Sequence, residues 1–217
     1  MSFEKPVFTV ALLLVTLGSS AVHSQDQGWY MGIGVGQSKA KEMGSCSDLN
    51  GVLSPGFSCS AKDTSTGAKL FGGYRFNQYV AAEVSYVDLG KFTMSANGTL
   101  FATSNPTTAV ASDEPSGFSV DAVGTWPITP EFAVLGRIGV FRWILDDSAS
   151  VSNSVFTVGT HDKPTGMSAD FGVGAKYDFD RKMGVRAEFQ RFTSIGNGTT
   201  GKSDVDLISA SLVYRFR

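Results

Sequence analysis

The chain has 217 residues, a formal net charge of −2, 25 glycines, 12% aromatic residues and 18% charged residues. That length suits one domain or one small closed barrel, and interspersed charges of both signs leave no basic footprint for nucleic acid. Abundant glycine and aromatic residues with few charges lean towards a β-rich protein with tight packing or tight turns.

The N-terminus reads separately from the rest. Lys5 precedes an apolar run from Val7 to Leu17, followed by Gly18, Ser19, Ser20 and the small-residue site Val22-His23-Ser24. The run is too short to span a bilayer as a helix, so residues 1–24 read as a secretory signal peptide and 25–217 as the exported chain. No later stretch reaches the roughly 18 apolar residues that a spanning helix needs. Export also frames Cys46 and Cys59, which share one polar segment and are expected to pair in an oxidising compartment. Closing so short a loop contributes roughly 3 kcal/mol on the chain-entropy model. The segment contains no histidine, and a metal site needs more ligands than it offers.

Eight segments then alternate with period two, the signature of strands with different environments on their two sides. In the first, Trp29, Met31, Ile33 and Val35 alternate with Tyr30, Gly32, Gly34 and Gly36. No helix start follows these glycines, so a dinucleotide loop is excluded by context. Residues 39–65 are expected as a long polar loop holding both cysteines. The second strand, Thr66 to Phe76, sets Ala68, Leu70, Gly72, Tyr74 and Phe76 against Lys69, Phe71, Gly73 and Arg75. After a very short connection at Asn77-Gln78, the third sets Ala82, Val84 and Tyr86 against Ala81, Glu83 and Ser85. Residues 92–116, rich in Ser, Thr and Asn, are expected as a second long loop.

The fourth strand, Gly117 to Trp126, has Phe118, Val120, Ala122 and Trp126 on one face and Ser119, Asp121, Val123 and Thr125 on the other. Two prolines in Pro127-Ile128-Thr129-Pro130 forbid continued pairing there. The fifth, Glu131 to Ile144, turns Phe132, Val134, Ile138 and Val140 away from Arg137 and Gly139, and a third polar loop is expected over 146–165. The sixth, Gly166 to Phe179, alternates without a break: Met167, Ala169, Phe171, Val173, Ala175, Tyr177 and Phe179 oppose Ser168, Asp170, Gly172, Gly174, Lys176 and Asp178. A tight turn, Asp180-Arg181-Lys182, leads to the seventh, with Met183, Val185, Ala187 and Phe189 opposite Arg186, Glu188 and Gln190. After a Gly- and Thr-rich loop over 194–203, the eighth carries Ile208, Ala210, Leu212, Tyr214 and Phe216 on one face.

Periodicity alone also fits a soluble sandwich or lipocalin-like barrel with the apolar face inside. Two regularities favour lipid outside. The connections alternate long and short, as in outer-membrane barrels, which have even strand counts, short periplasmic turns and longer external loops. In-strand charges occupy one face (Lys69, Glu83, Asp121, Arg137, Asp170, Lys176, Arg186, Glu188), while aromatics cluster near strand ends as interfacial girdles do.

With GAKLFGGYRFNQYVAAEVSYVDLG (Gly67 to Gly90), WPITPEF (Trp126 to Phe132) and SLVYRFR (Ser211 to Arg217), the exported chain resembles the transmembrane domain of the outer-membrane protein A family. The resemblance implies an all-β fold, an eight-stranded antiparallel up-and-down transmembrane β-barrel in the bacterial outer membrane, with short periplasmic turns and long extracellular loops. It implies that Tyr214 and Phe216 belong to a C-terminal signal read by the barrel-insertion machinery, although Arg217 stands where a terminal Phe is usual. Periplasmic chaperones, outer-membrane lipid and lipopolysaccharide are the further partners it implies. Many members carry a separate peptidoglycan-gripping domain; this sequence stops at the last strand, so cell-wall tethering is not carried over.

In the family, a glutamate and an arginine at the positions of Glu83 and Arg186 belong to a polar interior that blocks a continuous channel. This chain has Lys176 where the pattern has an acid and Val123 where it has a lysine, which predicts a rewired scheme: Glu83 and Glu188 sharing Lys176, Arg137 and Arg186. Enclosed charges must pair or be solvated, and an eight-stranded barrel is just wide enough to be filled by its own side chains. A network that satisfies buried charge is therefore favoured over a gated ion path. After signal removal the remaining histidine, His161, stands beside Asp162, and no serine has a sequence context that nominates it as a nucleophile. The chain is expected to be structural rather than enzymatic, without cofactor or metal, displaying surface loops for a ligand that the sequence does not name; a narrow low-conductance channel is the alternative, and a lipid-modifying enzyme ranks third.

Overall fold

The computed structural model describes residues 27–41, 57–99, 106–197 and 201–216. The expected signal segment and Cys46 lie outside the described residues. The strands are β1 (Gly28–Ala40), β2 (Ser58–Lys62), β3 (Thr64–Arg75), β4 (Val80–Asp88), β5 (Phe92–Thr99), β6 (Pro106–Pro127), β7 (Phe132–Asn153), β8 (Thr157–Asp162), β9 (Thr165–Asp178), β10 (Met183–Asn197) and β11 (Gly201–Arg215).

Eight of these close an antiparallel ring in the order β1-β3-β4-β6-β7-β9-β10-β11, with β11 pairing back onto β1. Following cross-strand partners once around, from Arg142 through Phe118, Tyr86, Leu70, Ile33, Leu212, Val185 and Tyr177, leads back to β7 at Phe132, ten residues nearer its start. That stagger tilts the strands and, with their number, fixes a narrow interior. The terminal strands meet through small residues, Gly34 opposite Ser211 and Gly36 opposite Ser209.

The two faces are inverted relative to a soluble barrel. Phe171 is 45% and Val173 63% exposed, while Lys69 and Glu83 are 2% and 1% exposed. At the end bearing the tight turns, outward rings pair edge-to-face, with centroids 5.1 Å apart for Trp29–Tyr74, 5.7 Å for Tyr177–Phe179 and 5.2 Å for Tyr214–Phe216. Tyr214 and Phe216 thus sit in a girdle at a membrane–water boundary.

The long connections depart from the expectation of polar loops. β6 and β7 each run for 22 residues and stay paired from Trp126–Val134 up to Thr107–Asn153. At about 3.3 Å per residue they reach about 70 Å, roughly twice what crossing the membrane requires. Above the ring, β5 pairs with β6 and β2 with β5, while β8 pairs with β7, so a five-stranded sheet β2-β5-β6-β7-β8 stands on one side of the mouth. Pro115 occupies the seam where the neighbour of β6 changes from β4 to β5; it has no N–H to give, and its carbonyl accepts from Leu89 N at 3.0 Å. Cys59, on β2 of this sheet, is disulfide-bonded.

Where the sheet leaves the ring, Asp113 on β6 faces Asp147 on β7. Burial first, and the charge of Asp147 second, push the Asp113 carboxyl up to about 6. The folded state then holds a proton that the unfolded chain releases, so stability of this stretch is greatest below about pH 4 and falls as pH rises to about 6. Amide exchange over residues 107–113, corrected for intrinsic rates, is expected to show less protection at pH 7 than at pH 4. Asp113→Asn is expected to remove that difference.

Candidate functional site: the ion network of the lumen

The inward side chains stack in layers set by register. Nearest the loop end lies an apolar cluster that includes Val87, Leu89, Phe92, Phe141, Trp143 and Phe192. A register shift in β10 between Phe192 and Ile195, with Ser194 at φ 52°, turns both of those residues into this cluster. Nearest the turn end, Tyr30, Phe71, Ala81, Val123 and Leu135 form a second apolar cluster. Between the two lie the charges.

Glu83 on β4 is held on three sides. Arg186 Nη1 and Nη2 donate to its two oxygens at 2.8 and 3.1 Å, Tyr30 Oη donates at 3.1 Å, and Arg137 Nη1 lies 3.0 Å from Oε1. Glu188 on β10 accepts from Lys69 Nζ at 2.7 Å and from Arg137 Nη1 at 3.0 Å. Arg137 reaches a third acid, donating Nη2 to Asp121 at 2.5 Å. Asp170 accepts from Gln190 Nε2 at 2.8 Å, and the Ser119 hydroxyl lies 2.7 Å from Asp170 and 3.0 Å from Asp121. Ser119 has one hydroxyl proton for those two contacts. Bidentate, charge-assisted bonds of this kind are the ones that offset desolvation in a dry interior.

Glycines provide the room. A Cβ on Gly139 would come within 2.3 Å of Asp121 Oδ1, and one on Gly174 within 2.9 Å of Glu188 Cγ. A Cβ on Gly73 would meet the Tyr30 ring at 2.5 Å. Arg186 also lies over the Phe71 ring, 4.0 Å from its centroid, which joins the ionic layer to the lower apolar one.

Four of the five residues predicted for the network, Glu83, Arg137, Arg186 and Glu188, meet in this layer. Lys176 does not, which corrects the predicted sharing scheme. It stands opposite Arg186 in register, and Arg186 takes the glutamates. Like charge turns Lys176 away, down its own strand to Asp178, at 3.3 Å. Lys69, Asp121 and Asp170 complete the layer; alternation marks them as inward, but their common height depends on the stagger of the ring. His161 lies outside the membrane on β8, with Nδ1 3.4 Å from Asp146 Oδ1. Register places Ser148 opposite His161, a proximity that sequence order does not reveal. Lys163 shares the same acid at 2.7 Å, and its hydrogen bond holds the Asp146 carboxyl below the usual carboxylate range.

Removing the cation shared by three buried acids is expected to be far costlier than removing an exposed one. Arg137→Ala should lose about 3–5 kcal/mol of unfolding free energy in urea titrations of the refolded protein. Lys39→Ala, which breaks an exposed pair with Asp63 at 3.6 Å, should lose less than about 1 kcal/mol.

Comparison with known proteins bears on the whole barrel. The model of the OmpA-like transmembrane domain matches residues 24–217. Outer membrane protein A of Salmonella typhi is 27% identical over 216 residues, covering 98% of this chain and 55% of that protein. The Serratia marcescens protein of that name is 28% identical over 218 residues, covering 96% of this chain and 56% of its own length. The chain thus spans about half the length of these curated relatives. Among solved structures, Ail, the attachment invasion locus protein of Yersinia pestis, in complex with the heparin analogue sucrose octasulfate, superposes with a TM-score of 0.50 at 17% identity, covering 88% of this chain and 99% of Ail. With an eight-stranded inside-out ring, a polar lumen and a family match across nearly all its length, the chain belongs to the OmpA-like transmembrane domain family of the bacterial outer membrane.

Proposed function

We propose that this barrel is a structural anchor of the outer membrane whose work is done by the five-stranded sheet it holds above the cell surface. The observation that carries the reading is the filling of the lumen. An ion layer whose charges are held by one another, or for Asp170 by Gln190 and Ser119, is enclosed between two apolar clusters, so the interior serves packing and the outward-reaching strands offer contact surface. Lipopolysaccharide is the partner at the rim, where outward Arg142 lies beside exposed Phe118 and Met167 near the upper edge of the apolar band and Lys39 stands at the loop end of β1. Delivery by periplasmic chaperones and the barrel-insertion machinery, after removal of the signal at residues 1–24, accounts for arrival there, with Tyr214 and Phe216 as the insertion signal. The Cys46–Cys59 bridge is the staple of the sheet's edge.

The reading assigns no conduction and no catalysis. In planar bilayers the refolded protein is expected to give no conductance above leak, and Glu83→Ala no more; discrete openings that Glu83→Ala alters would instead establish the narrow channel. A membrane-impermeant maleimide should label Val158→Cys on intact cells and spare Thr129→Cys, since the two lie at opposite ends of the ring. Lipid turnover is expected to be absent and unchanged by His161→Ala, because Asp146 is divided between His161 and Lys163; turnover lost in that variant would establish the enzyme.

A further inference from the structure

Below the lower apolar cluster the barrel opens into a cavity of about 530 Å³ on the periplasmic side, bordered by the turns at Gln78, Pro127–Glu131 and Asp180–Arg181. Three cations at the ends of three strands line its inner wall: Arg75 of β3, Lys176 of β9 and Arg215 of β11. They face one inward acid, Asp178, and both of its oxygens are engaged, Oδ2 3.3 Å from Lys176 Nζ and Oδ1 by Arg215. Arg75, half-buried, has no carboxylate within ion-pair distance among the described residues.

The remaining acids on the rim serve the turns. Asp180 accepts from the backbone N–H groups of Lys182 and Met183 at 2.6 and 2.8 Å, and Glu131 lies 3.3 Å from the Thr129 hydroxyl. Among the described residues the lining of the cavity thus sets Arg75, Lys176, Arg181 and Arg215 against Glu131, Asp178 and Asp180, one positive charge in excess, with the inner wall its more positive part. Ala81, Val123 and Leu135 close it above, so that field is directed out through the mouth. Guanidinium forks beside an ammonium suit a compact oxyanion, and phosphate offers the matching planar edges and up to two negative charges.

We propose that this vestibule is a phosphate-binding site facing the periplasm, with Arg75 as its open ligand and Lys176 and Arg215 completing it. The phosphate comes either from a small soluble phosphomonoester or from a phospholipid headgroup of the inner leaflet; about 530 Å³ holds such a group but no folded partner.

The test uses the refolded protein in phosphatidylcholine nanodiscs. Glycerol phosphate is titrated while amide shifts of Thr125, Ala133 and Asp178 are followed, and a second series replaces part of the lipid with phosphatidylglycerol. A saturable shift with glycerol phosphate assigns the soluble source, and one seen only with phosphatidylglycerol assigns the headgroup. In either case Arg75→Gln is expected to weaken binding at least tenfold, and rim variant Arg181→Gln less than twofold. Heat-modifiable gel migration verifies that each variant is folded, and Arg75→Lys, which keeps the charge, covers a Gln variant that fails to fold. No saturable shift in either series, or equal affinity in folded wild type and Arg75→Gln, would overturn the site.

Discussion

Charge enclosed in a space too narrow for bulk water has to find partners within the protein, and that requirement governs the barrel's interior. Isolated, each carboxylate or guanidinium of the middle layer would face a desolvation cost of several kcal/mol. Together they form a lattice in which Arg137 joins Glu83, Asp121 and Glu188, and Arg186 grips Glu83 with two nitrogens. Because its members come from β3, β4, β6, β7, β9 and β10, the lattice is also a register device. Slipping one strand by a single residue would turn its charges into lipid and its oily side chains inward.

The apolar layers on either side have a different role. They keep water from competing for the ionic bonds, and they put rings where charge meets packing, as with Phe71 under Arg186. The outer surface needs apolar contact with acyl chains, and its outward side chains are chiefly Val, Ile, Leu, Met, Ala and aromatics, with Arg142 and the Arg191–Asp206 pair on the same face towards the loop end. The upper sheet has neither lipid nor lumen to satisfy. Its faces mix Ser, Thr, Ala and Val, and its stability rests on backbone pairing and cross-strand contact.

That division explains what the sequence discloses. Period-two alternation over Met167–Phe179 or Met183–Gln190 identifies both strand and faces, since lipid and lumen demand opposite side chains. The same environments made Glu83, Arg137, Arg186 and Glu188 legible as one inward group. The upper parts of β6 and β7, with β2, β5 and β8, read as loops because stretches such as Thr107–Ser112 and Ser148–Asn153 carry small and polar residues on both faces and lose the two-faced pattern. Lys176 shows the other limit. Alternation gives a side, but height comes from a stagger of ten residues around the ring, and only paired strands reveal that Arg186 already occupies the space beside it.

The junction between the first and last strands bears on assembly. Every charge of the middle layer comes from strands between them in the chain, while Gly34, Gly36, Ser209 and Ser211 line the β1–β11 contact. Lys69, Arg137 and Arg186 can therefore pair with Glu83, Glu188 and Asp121 while the sheet is still open, and Asp170 is held by Gln190 and Ser119. The final zippering of the chain's two ends then brings neutral small residues together at the level of that layer, and the ionic contact across the seam lies farther out, at the loop end, where Lys41 meets Asp206 at 3.5 Å.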